Sequence, residues 1–168
     1  MPPRHVVLVG LMGSGKSSIG RPLARRVGRE YLDNDDVLEL RTGHTAREIA
    51  SDRGLDALHE EEANAFREML ADPKPAVIGA AASVVVDPGI RDLLREHDVV
   101  WLDTDLDHLA RRVDAGDHRP FLGDDRRAAL QAQWDARAPF YREVASLVVH
   151  PDREDDERIV DEIAQALI

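Results

Sequence analysis

The run Gly10-Leu11-Met12-Gly13-Ser14-Gly15-Lys16-Ser17 has the residue types and spacing of a phosphate cradle, G-x-x-x-x-G-K-S. Glycines let a backbone curl until successive N–H groups face one anion. A helix that starts at the end of the curl adds unpaired donors and a partial positive charge. Lys16 is then placed to bridge the outer phosphates of a nucleoside triphosphate, and Ser17 to offer its hydroxyl to Mg²⁺. A second chemical group is acidic: Asp33-Asn34-Asp35-Asp36 follows the strand-like run Glu30-Tyr31-Leu32-Asp33. Acids at the C-terminal end of a strand lie where open α/β sheets place their ligands. The same cluster would serve as an N-cap for a helix carrying Val37-Leu38-Glu39-Leu40, and the two readings are compatible.

The phosphate pattern has meaning only between a strand and a helix. His5 to Val9 is a short β-branched run, and Ile19, Leu23, Ala24 and Val27 recur at helical spacing up to a stop at Gly28. A plain glycine-rich turn is the competing reading; the spacing, the Lys-Ser pair and both flanks argue against it. Pro22 is expected to bend the helix early. Further strands are read at Pro75 to Ser83, Val99 to Leu102 and Leu147 to Val149, with Val84 to Val86 extending the first of these or starting a return. Thr45-Ala46-Arg47-Glu48 has capping-box spacing and opens a helix that ends near Gly54. A longer helix follows, from about Leu55 to Leu70, and its His59-Glu60-Glu61-Glu62 stretch reads mostly as a solvated face. Helices are also expected after Pro88, from Leu106 past Val113, from Arg126 to about Ala136 and from Glu157 to Leu167. Strands alternating with helices in this way predict a three-layer α/β/α fold on a five-stranded parallel sheet, in a single domain. The polar stretch of about 113–125, with Arg119-Pro120 at its centre, is long for a connection and is read as a lid.

Composition narrows the function. The chain has 168 residues, 43% of them hydrophobic, which is enough for one core. It has no cysteine, which excludes disulfides and thiolate metal sites and fits the cytoplasm. No apolar run is long enough to span a membrane, and no signal peptide is seen. A formal net charge of −11 argues against nucleic acid or an anionic membrane as partner. The partner expected is a small-molecule substrate, with the chain itself a monomer.

Taken together, these residues resemble the shikimate kinases, a family of the nucleoside monophosphate kinase-like group of phosphate-loop proteins. The resemblance rests on G-L-M-G-S-G-K-S-S-I-G at Gly10 to Gly20, L-D-N-D at Leu32 to Asp35 and R-T-G at Arg41 to Gly43. It continues with P-G-I-R at Pro88 to Arg91, the pair Arg119-Pro120, and R-A-P-F-Y-R at Arg137 to Arg142. The resemblance implies transfer of the γ-phosphoryl of ATP to the 3-hydroxyl of shikimate, with Mg²⁺. It implies that Gly13, Ser14, Gly15, Lys16, Ser17 and Ser18 hold the ATP phosphates, and that Ser17 ligates Mg²⁺ with Asp33 nearby through water. Asp35 would accept a hydrogen bond from the acceptor hydroxyl and act as its base. Arg119 would come down with the lid, Arg137 would bind the substrate carboxylate, and Arg153 lies where the family contacts adenine. A helical region of about 34–62 would bind the substrate.

Two departures fall on the acceptor. His59 stands where the family carries a carboxylate-binding arginine, and Ala81-Ala82-Ser83 stands where the family has three glycines. An imidazole lacks the fixed charge and two-pronged grip of a guanidinium. Each added Cβ takes space, and strains the backbone wherever φ must be positive. Such changes would cost shikimate affinity on the order of 10²- to 10⁴-fold. A kinase for another small hydroxylated metabolite, and a nucleotide-binding relative without acceptor chemistry, are therefore carried as alternatives.

Overall fold

The computed structural model describes residues 4–114 and 125–168. Its sheet is built from β1 (Val6–Val9), β2 (Glu30–Asp33), β3 (Ala76–Gly79), β4 (Asp98–Leu102) and β5 (Leu147–Val149). The strands lie in the order β2-β3-β1-β4-β5, and every pairing is parallel. Parallel neighbours need crossovers, and helices supply them: α1 (Lys16–Val27), α2 (Asn34–Thr42), α3 (Ala46–Arg53), α4 (Leu55–Leu70), α5 (Pro88–Leu94), α6 (Leu106–Asp114), α7 (Arg126–Val144) and α8 (Asp156–Leu167). The three-layer expectation from the sequence holds.

β1 is central and buried on both faces, which is why it reads as an unbroken apolar run. Its side chains alternate between two cores. Val7 and Val9 face one that includes Phe66, Ile90, Leu130 and Tyr141. Val6 and Leu8 face the other, with Ile19 and Leu23 of α1 and Ile159 and Ile163 of α8. Burying each such side chain contributes roughly 1.5–3 kcal/mol. A smaller cluster of Leu38, Ile49, Leu58 and Ala65 joins α2, α3 and α4 beside the sheet.

Local signals set the boundaries. Asp33 caps α2 by accepting the Asp35 N–H at 2.8 Å, so the acidic cluster ends a strand and starts a helix at once. Thr45 and Glu48 form the capping box of α3. α1 continues through Pro22 to Val27.

Two expectations fail. Val84–Val86 is neither a strand extension nor a return but one turn of 3₁₀ helix, with Val84 and Val85 buried. The β3 ladder ends at Gly79, which pairs with Leu8 of β1 and with Asp33, the last residue of β2 before the chain turns into α2. The helix predicted to stop near Ala136 runs on to Val144 through Pro139. A proline inside a helix costs about 3 kcal/mol; here packing on both sides of it outweighs that. Tyr141 is fully buried beside Trp101, and the Arg91 guanidinium lies 4.1 Å from the Phe140 ring centre.

Candidate active site

The turn between β1 and α1 is a curl of backbone. Gly10, Gly13 and Gly15 all have positive φ, and a Cβ on Gly10 would lie 2.7 Å from Ser14 Oγ and 2.9 Å from the Leu102 carbonyl. Only glycine fits there. The curl opens into a cleft of about 600 Å³ at the carboxyl ends of β1, β2 and β3, the position expected of a ligand site in such a sheet. Gly13, Ser14, Gly15, Lys16, Ser17 and Ser18 line one side of it. Asp33 and Asp35 line it from the end of β2 and the start of α2, His59 from α4, Ala81 and Ala82 from the turn after β3, and Arg137 from α7.

The cradle fits a polyphosphate on its own chemistry. Ser14 Oγ is buried without a hydrogen-bond partner among the described residues, within the phosphate loop. Lys16 Nζ donates to the Gly10 and Leu11 carbonyls at 2.7 and 3.1 Å, which holds the ammonium over the loop. Burial lowers its pKa to about 8, while Asp35 and Asp33 pull the other way and keep it charged at neutral pH. The Ser17 hydroxyl and the Asp33 carboxylate are hard oxygen donors of the kind Mg²⁺ takes, and both face the cleft.

The far wall carries a different balance of charge. Arg137 Nη1 donates to Gln133 Oε1 at 3.3 Å, and no carboxylate among the described residues makes an ion pair with it. His59 is half-buried, and its pKa is lowered by burial and by the Arg137 cation. It is therefore a neutral imidazole at pH 7 and above. Ala81, Ala82 and Ser83 need no positive φ, since every positive-φ residue among the described residues is a glycine. The backbone strain expected of this triplet is absent; what remains is the space its side chains take.

The remaining sequence-based site residues fall elsewhere. Arg153 is exposed in the turn after β5 and does not line the cleft. Arg119 lies outside the described residues, as do all of residues 115–124 of the lid expected at about 113–125.

Glu62 is an exception to the mostly solvated face expected of the His59-Glu60-Glu61-Glu62 stretch. It lines the cleft, and its Oε1 accepts from Ser83 Oγ at 3.0 Å. Burial pushes its pKa up to about 7; the Ser83 hydrogen bond opposes this, and Asp35 adds to it. The signal was present: Leu58, Glu62, Ala65, Phe66 and Met69 fall on one helical stripe, so Glu62 sits on the apolar face. Arg112 was also missed. Its Nη1 lies 3.4 Å from where a Cβ on Gly15 would stand, beside the phosphate loop. Nothing in the sequence of α6 distinguishes it from neighbouring Arg111.

A parallel α/β/α sheet with a phosphate cradle, a lysine above it and an aspartate opposite defines the class of phosphate-loop small-molecule kinases. Comparison with known proteins agrees. The sequence pattern of the shikimate kinase family matches residues 12–168. The chain is 36% identical over 163 residues to the shikimate kinase of Corynebacterium efficiens, covering 96% of this chain and 95% of that protein. It is 38% identical over 162 residues to that of Mycobacterium bovis strain BCG, covering 96% and 92%. The structure of Acinetobacter baumannii shikimate kinase in complex with shikimate superposes with a TM-score of 0.90 at 28% identity, covering 97% of this chain and 92% of that one. The chain belongs to the shikimate kinase family and is an ATP-using phosphotransferase. No described helix is long and apolar enough to cross a membrane.

Proposed function

We propose that this protein transfers the γ-phosphoryl of ATP to the 3-hydroxyl of shikimate. The observation that carries the reading is Arg137. A guanidinium that faces a cleft, with Gln133 as its only side-chain hydrogen-bond partner among the described residues and no ion pair there, is poised for an anion from solution. Shikimate offers a carboxylate for Arg137 and a hydroxyl for Asp35, and the Acinetobacter relative was solved with shikimate bound. The helical region of about 34–62 is then the acceptor-binding part of the domain, with His59, Ala81 and Ala82 against the acceptor.

In this reading the phosphate loop and Lys16 hold the donor phosphates. Asp35 orients the acceptor hydroxyl and takes its proton as the new O–P bond forms and the bond to the ADP oxygen breaks. Mg²⁺ on Ser17 and Asp33 would neutralise charge on the phosphates. Arg119 and Arg153 are assigned to the γ-phosphate and the adenine by family likeness. The chain works as a cytoplasmic monomer. Catalysis is positioning plus electrostatics, so misplacing Lys16, Asp35 or Arg137 costs rate.

The test is ADP release with shikimate, beside a panel of sugars and polyols that lack a carboxylate. Turnover with shikimate at ordinary kinase rates, about 1–100 s⁻¹, is expected. Preferred turnover of an uncharged polyol would move the acceptor to another class, which the neutral His59 would then explain.

A further inference from the structure

Each residue of the turn after β3 is held by a different element. The Ala81 N–H donates to Asn34 Oδ1 at 2.9 Å. The Ala82 carbonyl accepts from the buried Tyr141 hydroxyl at 2.6 Å. Ser83 Oγ donates to Glu62 Oε1. The partners stand on α2, α7 and α4, so the wall opposite the phosphate loop is fixed from three directions.

Asn34 makes a second connection. Its Nδ2 donates to the Glu62 backbone carbonyl at 3.1 Å, and the residue is 2% exposed. One carboxamide therefore joins α2 to the acceptor wall through its oxygen and to α4 through its nitrogen. A carboxylate has no donor for the second bond, and a serine hydroxyl is too short to span both. Satisfied hydrogen bonds are what any buried asparagine requires. The choice of partners is what goes further. Asn34 lies between Asp33 and Asp35 in sequence, so the amide that fixes the wall also fixes the backbone that carries both cleft aspartates.

We infer that Asn34 is a positioning residue for phosphoryl transfer: it sets the separation between the Asp35 carboxylate and the wall of Ala81 and Ala82 against which the acceptor rests. This rests on the acceptor reading above. Asn34 borders the cleft but is almost wholly buried, and both ends of its amide are taken by Ala81 and Glu62, so it acts through the Asp35 backbone and the Ala81 amide. Loss of the amide lets the wall and α4 drift from the base. A displacement of about 1 Å costs on the order of 10²-fold in rate. Among the described residues the phosphate loop, carried by β1 and α1, has no hydrogen bond with Asn34, so ADP binding without Mg²⁺, which does not call on Asp33, is expected to hold.

The experiment compares wild type with Asn34→Leu, which keeps the shape and removes both bonds, and with the milder Asn34→Ser. Steady-state kinetics with shikimate, ADP affinity by calorimetry without Mg²⁺ and amide hydrogen exchange at Ala81 are measured on each. Asn34→Leu is expected to lower kcat/KM for the acceptor about 10²-fold, and Asn34→Ser to fall between it and wild type, with ADP affinity unchanged within about 2-fold. Acceptor efficiency within about 2-fold of wild type in a folded variant overturns the inference, and so does an equal fall in ADP affinity, the mark of a purely structural residue. If Asn34→Leu does not fold, Asn34→Ser decides by the same criteria. If wild type does not turn over shikimate, the acceptor reading fails by itself. The inference is then decided with ADP bound: Ala81 exchange about 10-fold faster in the variant supports it, and unchanged exchange overturns it.

Discussion

The phosphate-loop side of the cleft, proposed for the nucleotide, comes mostly from one unbroken run ending at Ser18, with Arg112 beside it, whereas the side proposed for the acceptor is assembled from α2, α4, α7 and the turn after β3. The first is mostly backbone: positive-φ glycines, a helix N-terminus and one lysine. The second is mostly side chains that hold one another, as in Asn34 to Ala81, Tyr141 to Ala82 and Ser83 to Glu62. A backbone cradle depends on a few residue types and tolerates little change. A wall of side chains can exchange arginine for histidine, or glycine for alanine, and still close if its hydrogen bonds are met. The same fold can thus keep its donor chemistry while its acceptor pocket drifts.

If the two sides are separable, their mutations must separate too. Lys16→Ala removes the cation proposed to hold the donor phosphates, and transfer is expected to fall by at least about 10³-fold at saturating acceptor. Single-turnover rates check this, and near-normal transfer would remove the phosphate-loop assignment. Arg137→Gln is expected to raise the acceptor KM about 10²-fold while the ATP KM stays within about 2-fold. Equal shifts in both constants would mean that the two sides are coupled through Arg137 and the division is false.

The same contrast explains what the sequence made legible. The phosphate loop, the caps at Asp33 and Thr45 and the sheet with its crossovers are local patterns, and each was readable from neighbouring residues. Asp35, His59, Ala81 and Arg137 were placed together by family likeness, and the structure brings them to one cleft. The misses are non-local. Pro139 is a poor helix residue by itself, and the helix carries on past it because Trp101 and Arg91 pack on Tyr141 and Phe140, the residues that follow. Glu62 reads as solvated because its charge was weighed above its place on the apolar stripe of α4. Asn34 passes for a spacer between two aspartates because both of its partners are distant in sequence, at Glu62 and Ala81.

Glu62 tests the acceptor wall without any ligand. Its pKa is raised by burial from an ordinary 4.5 to about 7 in the folded protein. Between those values the native state binds more protons than the unfolded state, so stability falls as pH rises. The contribution is fully present below about pH 4.5 and is lost once pH passes about 7. Glu62→Gln keeps an acceptor for Ser83 Oγ and removes the titration. Its unfolding free energy is expected to match wild type near pH 4.5 and to exceed it by roughly 2–3 kcal/mol at pH 8. Urea melts at the two pH values read the difference. A gap of the same size at both would mean that Glu62 titrates like a surface carboxylate and that the wall is wetter than the hydrogen bonds imply.

The smallest effect is expected at His59, where it tells charge from shape. Burial and Arg137 keep the imidazole neutral at pH 8, so Arg137 alone supplies formal charge to an acceptor carboxylate from this wall. His59→Arg adds a permanent cation, and an added charge-assisted hydrogen bond is worth about 1 kcal/mol or a little more at a partly exposed site. The acceptor KM is then expected to fall about 5- to 10-fold at pH 8. The gain should shrink as pH falls below the lowered pKa of the wild-type imidazole, where His59 takes up a proton and supplies the missing charge itself. Adding Ala81→Gly, Ala82→Gly and Ser83→Gly should not improve on the single change, because the triplet is unstrained and Ser83→Gly gives up the bond to Glu62. A larger gain from the combined variant would show that the Cβ atoms, and not the missing charge, limit the acceptor. In that case the wall excludes shikimate by shape, and the search for its acceptor should turn to narrower hydroxyl compounds.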